Sequence, residues 1–328
     1  MPPSFSLDFP FAYGQPIASA LFRVEPEDFQ VDEHLGFLPS GEGEHVFLHV
    51  WKRGENTAWV AERIAELAGV LVMDIGYCGR KDRHAVTTQW FSVYLPKQAS
   101  ELTWANLNSE TIKVLAVSRH HQKLRRGDHS SNRFQIRLRD VKTEDKELLQ
   151  YRLEQVFSQG VPNYYGEQRF GNDGNNLQEA QAVLVEGKRI RDKQKRGLIL
   201  SAARSYLFNQ VLSVRVAANN WSIAMEGEPD SIPTGPLWGR GRSLSKDRVF
   251  DLEENALLPW KDWRNGLEHA GLAQERRALV LKPDSPSYSW NGNDLELNFS
   301  LGSGEFATTI LREIAYLQSS VKTGTVSL

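Results

Sequence analysis

The sequence holds a single cysteine, Cys78, and three methionines among its 328 residues. One cysteine excludes a disulfide framework and any multi-cysteine zinc site, and it suits a reducing compartment, so a cytoplasmic protein is expected. No run of 18 apolar residues occurs, which argues against a membrane-spanning helix. The opening MPPSFSLDFPFAYGQP has no basic region followed by an apolar one and does not read as a secretory signal. A phosphate-binding GxxxxGK[ST] loop is missing, since GRGRSLSK at 239–246 only looks similar. The dinucleotide fingerprint GxGxxG is missing too. His120, His121 and His129 lack the carboxylates or cysteines that would complete a zinc site. Net charge is also small. Thirty-nine Lys and Arg against 41 Asp and Glu leave −2, so nucleic-acid binding would have to come from local basic patches.

What is present reads as a mixed α and β protein, with a prior of two domains at about 150 residues each. Val46–Trp51 reads as a buried strand, and Asn56 followed by Thr57 starts a helix. Val60, Ile64, Leu67 and Ala68 form that helix's apolar stripe, and Gly69 ends it. The run VLVMDIGYCG at 70–79 reads as a strand entering a loop. Residues 133–139 alternate strictly, with Phe134, Ile136 and Leu138 on one face and Arg133, Gln135, Arg137 and Arg139 on the other. Helical spacing returns from Thr143 to Phe157, closed by Gly160 and Pro162. Glycine and asparagine loops and a long helix fill 166–282, and alternating β sequence returns at Asp294–Leu301. A last helix is expected to carry Phe306, Ile310, Ile314 and Leu317 on one face. β-rich sequence on both sides of a different texture suggests a middle domain inserted into an outer one.

The chemistry concentrates in GYCGRKDRH at 76–84. Asp82 stands among Arg80, Lys81 and Arg83, and a carboxylate among three cations is expected to stay ionised at neutral pH. On a loop at a strand end it could serve as nucleophile or base, while the cations draw in a phosphate-bearing substrate. A solvated turn with local ion pairs is the plain alternative. Cys78 reads as a small buried residue rather than a nucleophile. Two basic runs stand out. Residues 119–139 hold seven Lys and Arg against Asp128, and residues 188–196 hold six against Asp192. Basic runs with nearby aromatics suit phosphate contacts and base stacking.

Five stretches, RVEPEDFQVDE, GYCGRKDRHAVTTQW, NYYGEQRFG, ARSYLFN and GEFATTILRE, occur in this order. In this the chain resembles the TruD family of pseudouridine synthases over nearly its whole length. The resemblance implies an α+β fold. A pseudouridine synthase domain with a mixed, mostly antiparallel sheet would span 1–161 and 282–328, with an α/β TRUD domain inserted at 162–281. It implies isomerisation of uridine 13 of tRNA to pseudouridine, with the target base flipped and Asp82 as the catalytic nucleophile. It places Phe29, Asn132 and Phe306 against the substrate, Phe306 stacking on the base. Arg80, Lys81, Arg83, Arg133, Lys193 and Arg196 would contact RNA. No metal, cofactor, membrane or obligate protein partner is expected, and the chain is expected to be a monomer.

Two other classes of function stay in view. An RNA-binding module would keep the basic runs without needing Asp82. A glycosidic hydrolase would want a second carboxylate, for which Glu167 is the candidate.

Overall fold

The computed structural model of the chain describes residues 5–96 and 102–319. The first part of the chain forms β1 (Ala18–Phe22), β2 (Phe29–His34), β3 (His45–Arg53), α1 (Thr57–Ala68), β4 (Ile75–Tyr77), β5 (Val86–Tyr94), β6 (Ile112–His120) and β7 (Ser131–Thr143). Next come α2 (Lys146–Gln159), β8 (Val161–Pro162), α3 (Asn175–Leu184), α4 (Lys193–Ala217), β9 (Thr234–Leu237), α5 (Asp247–Ala256) and α6 (Lys261–His269). The chain then makes β10 (Glu275–Ala278), β11 (Val280–Leu281), β12 (Asp284–Asn291), β13 (Asp294–Gly302), α7 (Ala307–Ile314) and β14 (Tyr316–Ser319).

The described residues fall into two units. One takes Ile17–Asp145, Pro283–Glu305 and the described part of Ala315–Leu328. The other takes the described part of Met1–Pro16, with Lys146–Lys282 and Phe306–Ile314. The unit that holds 162–281 thus also includes α2 and α7.

The first unit is built on one ten-stranded sheet, ordered β12-β13-β7-β2-β5-β3-β6, with β1 and β14 joined through β7 and β4 on β5. Only β2–β5 and β1–β14 are parallel, so the sheet is mixed and mostly antiparallel, as the family resemblance implied. Alternation sets its register. On β7, Phe134, Ile136 and Leu138 face the core, paired with Phe299, Leu297 and Leu295 of β13. A slip of one residue in either strand would turn its three toward solvent. Helix α1 forms as expected. The Asn56 side chain accepts from the Ala58 N–H at 3.0 Å, and Gly69 closes the helix at φ 66°. Val60, Ile64 and Ala65 then pack with Leu48, Val50, Phe91 and Val93.

Two elements differ from the sequence reading. The run at 70–79 is not one strand. Val72–Asp74 is a 3₁₀ turn with Asp74 Oδ2 accepting from the Leu71 N–H at 3.2 Å, and only Ile75–Tyr77 pairs with β5. Leu71, Val72 and Met73 are exposed, because the apolar composition of this stretch is not matched by a partner strand. The last helix begins at Ala307, so Phe306 precedes it, and Leu317 lies on β14.

The second unit is mainly helical, with two short strand pairs, β9–β10 and β8–β11. Its centre is the 25-residue α4, whose Tyr206, Leu207 and Phe208 are buried with Phe170, Trp263 and Leu267. Arg215 of α4 is buried as well. It meets Glu228 at 2.9 Å and donates to the carbonyls of Asn220 and Ile223. Removing one partner of such a pair strands the other charge in a low dielectric. Glu228→Ala is therefore expected to lose about 3–5 kcal/mol of unfolding free energy. Urea denaturation measures this, and a loss below about 1 kcal/mol would show that the pair is not needed.

Candidate active site

Strands β2 and β7 run side by side, and each carries an apolar alternation that ends in a polar residue. Phe29, Val31 and Glu33 are buried on β2; Asn132, Phe134 and Ile136 are buried on β7. Glu33 and Asn132 stand opposite each other in the register. Burying a carboxylate and an amide at one rung demands a partner. Lys81 supplies it, with its ammonium 2.6 Å from Glu33 Oε2 and donating to Asn132 Oδ1 at 2.7 Å. Glu33 Oε1 accepts from the Trp90 N–H on β5 at 3.0 Å.

Lys81 belongs to the loop between β4 and β5, and further bonds hold that loop. The Lys81 N–H donates to Thr57 Oγ1 at 2.9 Å, and the Thr57 hydroxyl donates to Gln89 Oε1 at 2.9 Å. The Gln89 amide donates to the Gly79 carbonyl at 3.3 Å, and the Gly54 N–H to the Ala85 carbonyl at 3.1 Å. Because the Lys81 side chain turns into the protein, the next residue is directed outward. Asp82 is accordingly exposed, with 43% of its side chain accessible.

The cation that meets Asp82 is Arg23, at 2.7 Å. Arg23 follows β1 at φ 58°, a region non-glycine residues seldom occupy. Its guanidinium lies 4.7 Å from the Phe22 ring centre and 4.2 Å from that of Phe29. Both rings are buried, and they hold the guanidinium by cation–π attraction. Phe29 thus reaches the carboxylate through Arg23, and is itself only 3% exposed.

The three cations adjacent to Asp82 in sequence divide. Lys81 is consumed inside the protein, whereas Arg80 and Arg83 are exposed and make no ion pair among the described residues. The basic strand divides likewise. Arg137 pairs with Glu296 and Arg139 with Glu25 and Asp28, leaving Arg133 exposed at the strand's start. In the 188–196 run, Lys188 and Lys195 both meet Glu179. Lys193 and Arg196 are exposed in the first turn of α4 and make no ion pair among the described residues. Cations there oppose the helix dipole, an arrangement that favours an anion nearby. Phe306 is exposed, just before α7, in the other unit from Asp82.

Lys52 of β3 is fully buried, and its ammonium donates to the Glu55 carbonyl at 2.7 Å. Burial pulls its pKa down to about 8, against the upward pull of Asp82; Lys81 lowers it further and Glu55 raises it. A fall from 10.5 to about 8 corresponds to about 3 kcal/mol of stability lost while the group is charged. The penalty is complete below pH 8 and fades as pH rises toward 10.5.

Glu33, Cys78 and His129 are also gathered, with ligand-type atoms within 4.8 Å of one another. The cation at Glu33 is already the Lys81 ammonium, so a metal ion would have to displace it. Burial pushes the Cys78 thiol up to about 12, which keeps it protonated at neutral pH. Sequence reasoning did not single out Arg23, Lys52, Thr57 or Gln89. Arg23 opens the stretch RVEPEDFQVDE, yet nothing in chain order links it to Asp82, 59 residues away.

Comparison with known proteins gives the fold its class and the chain its family. The TruD protein of Methanosarcina mazei, known from a crystal structure, superposes with a TM-score of 0.68 at 19% identity, over 95% of this chain and 96% of that one. The two chains therefore share one α+β fold. The family described as tRNA pseudouridine synthase D (TruD) matches residues 10–191 and 228–314. A tRNA pseudouridine synthase D of Cellvibrio japonicus is 58% identical over 318 residues, covering 96% of this chain and 95% of its own. One from Nitrosococcus oceani is 45% identical over 341 residues, covering 94% and 95%. The chain belongs to the TruD family, whose members are isomerases.

Buried and neutral, Cys78 should resist thiol reagents. At pH 8 the native protein is expected to react at least about 100-fold more slowly than urea-unfolded chain. An aromatic disulfide reagent followed by absorbance checks this; equal rates would contradict the burial.

Proposed function

We propose that the chain converts uridine 13 of tRNA to pseudouridine, with Asp82 as the nucleophile. The observation that carries this reading is an exposed carboxylate, held by Arg23 on a bonded loop, in a chain of the TruD family. Asp82 attacks either the anomeric carbon of the ribose or carbon 6 of the uracil. The bond from N1 to the anomeric carbon breaks, the uracil turns, and carbon 5 bonds to the same sugar carbon. The bond to Asp82 breaks, returning the free carboxylate, and the proton that leaves carbon 5 is balanced by one taken up at N1. Atoms are conserved and nothing is oxidised or reduced, so the chemistry asks for no cofactor or metal.

The target base has to leave its stack first, at a cost of a few kcal/mol. Phe306, 45% exposed, suits stacking on a flipped base, the role its family motif implies. Asn132 and Phe29 act from below the surface. Asn132 fixes Lys81, and Phe29 holds Arg23. Arg80, Arg83, Arg133, Lys193 and Arg196, which make no ion pair among the described residues, offer positive charge to backbone phosphates. The same reading places the enzyme in the cytoplasm with its tRNA, acting as a monomer, with 162–281 as the inserted TRUD domain. Among the described residues no helix is long and apolar enough to cross a membrane.

Asp82→Asn is expected to abolish pseudouridine formation while changing tRNA affinity by less than about threefold. The assay is carbodiimide labelling of transcribed tRNA followed by mapping of reverse-transcription stops. A stop at position 13 with the wild type alone supports the assignment, and wild-type turnover by the variant refutes it. Release of free uracil would instead indicate a hydrolase. Lys193→Ala with Arg196→Ala should make the slope of log affinity against log salt shallower by about 1–2. An unchanged slope removes these two side chains from the RNA footprint.

A further inference from the structure

We propose that Lys52 is a positioning residue for Asp82, holding the loop of the nucleophile through the turn at 53–57 and setting positive charge against it from the buried side. The inference rests on the reading of Asp82 as nucleophile and adds a residue to that site.

The first argument is one of geometry. Lys52 is wholly buried, at 0% exposure, and its ammonium donates to the Glu55 carbonyl at 2.7 Å. That bond fixes the turn between β3 and α1. Two residues of this turn then hold both sides of the catalytic loop. Gly54 donates its N–H to the Ala85 carbonyl, and Thr57 accepts the Lys81 N–H, one residue before Asp82. β3 pairs with β5 directly beside this loop, Lys52 opposite Thr87 and Arg53 opposite Val86. Lys52 is thus built into the frame from which Asp82 projects.

The second argument concerns charge. An ammonium out of water normally requires a carboxylate within ion-pair distance. Among the described residues Lys52 has none, although a methionine could fill the same apolar volume without the penalty. The charges that act on it are Asp82, Lys81 and Glu55. Lys81 is neutralised by Glu33, while the Glu55 side chain follows the turn into partial exposure. Asp82 is the carboxylate that acts on Lys52 most strongly. A cation kept at a cost to stability, beside a nucleophile, is explained by its effect on that nucleophile.

Turnover should therefore follow the charge of Lys52. The ammonium is intact below a pKa of about 8 and lost above it, so turnover falls as pH rises through that value. The experiment is single-turnover pseudouridine formation at saturating tRNA, from about pH 6 to about 8.5, below the range where most of uridine's own imide ionises. Wild type, Lys52→Met and Lys52→Arg are compared, with KM, tRNA affinity and melting temperature measured on each. The wild-type rate constant is expected to decline above about pH 8. In Lys52→Met it should be at least about tenfold lower at pH 7 and show no such decline. KM should stay within about threefold, and the protein should melt no lower than wild type. Lys52→Arg should recover part of the rate and remove the decline, since its guanidinium stays charged.

A flat wild-type profile across this range overturns the proposal without recourse to any variant. So does a Lys52→Met enzyme that keeps the decline, whether or not it melts early, because a residue needed only for folding would not move the limb. Failure of the underlying reading looks different, for then wild-type protein forms no pseudouridine at any pH.

Discussion

The ion pair between Lys81 and Glu33 is the contact on which the site's geometry depends. It lies where the buried faces of β2 and β7 end, so its energy is set by desolvation as much as by attraction. Apolar side chains of similar size could fill that volume at equal or lower cost. They could not turn the backbone of a surface loop, because they would leave no directed bond to Asn132 and Glu33. The polar pair trades some stability for a fixed direction of the chain. With Lys81 facing inward, Asp82 faces solvent, and Arg23 can reach it from the end of β1.

The same constraint sorts the basic residues. Proximity in sequence gave Arg80, Lys81 and Arg83 equal standing around Asp82. In the fold they do opposite things, one inside and two outside. Cross-strand neighbours decide the rest. Arg137 stands opposite Glu296, and Arg139 lies against Asp28, so half of the alternating basic face is a row of ion pairs. Arg133 also has an acid in register, Asp32 of β2, but that carboxylate accepts from the Thr88 hydroxyl at 2.8 Å, and Arg133 makes no ion pair among the described residues.

Much of this architecture was legible in the sequence because it depends on local signals. The Asn56 cap, the Gly69 stop and the alternation of residues 133–139 each express one short-range rule, and each appears as read. The run at 70–79 misled because apolar composition does not say whether a partner strand exists. Phe306 misled by one position, since an apolar stripe does not mark where a helix begins. The site was legible only in part. Asp82 stands out by its neighbours in the chain, whereas Arg23, Lys52 and Thr57 act through contacts that the sheet creates between distant segments. Family resemblance filled some of that gap, but it named residues without their partners, and the Arg23 held by Phe29 and the Lys81 held by Asn132 appear only in the fold.

Burial gives those two residues partners inside the protein. Asn132 occupies a core-facing position of β7, where an apolar side chain would pack as well. Its amide oxygen is useful there only because Lys81 arrives, and Lys81 arrives only because Glu33 stands at the same rung. Phe29 begins the same strand as Glu33, four residues earlier on the same face, and its ring carries the guanidinium that meets Asp82. One strand therefore supports the loop from one end and the loop's counter-ion from the other. A shift in the register of β2 against β7 would displace both supports together, although neither strand carries Asp82. In this fold the position of the Asp82 carboxylate is a consequence of sheet register, and the apolar alternation that fixes the register helps to build the proposed site.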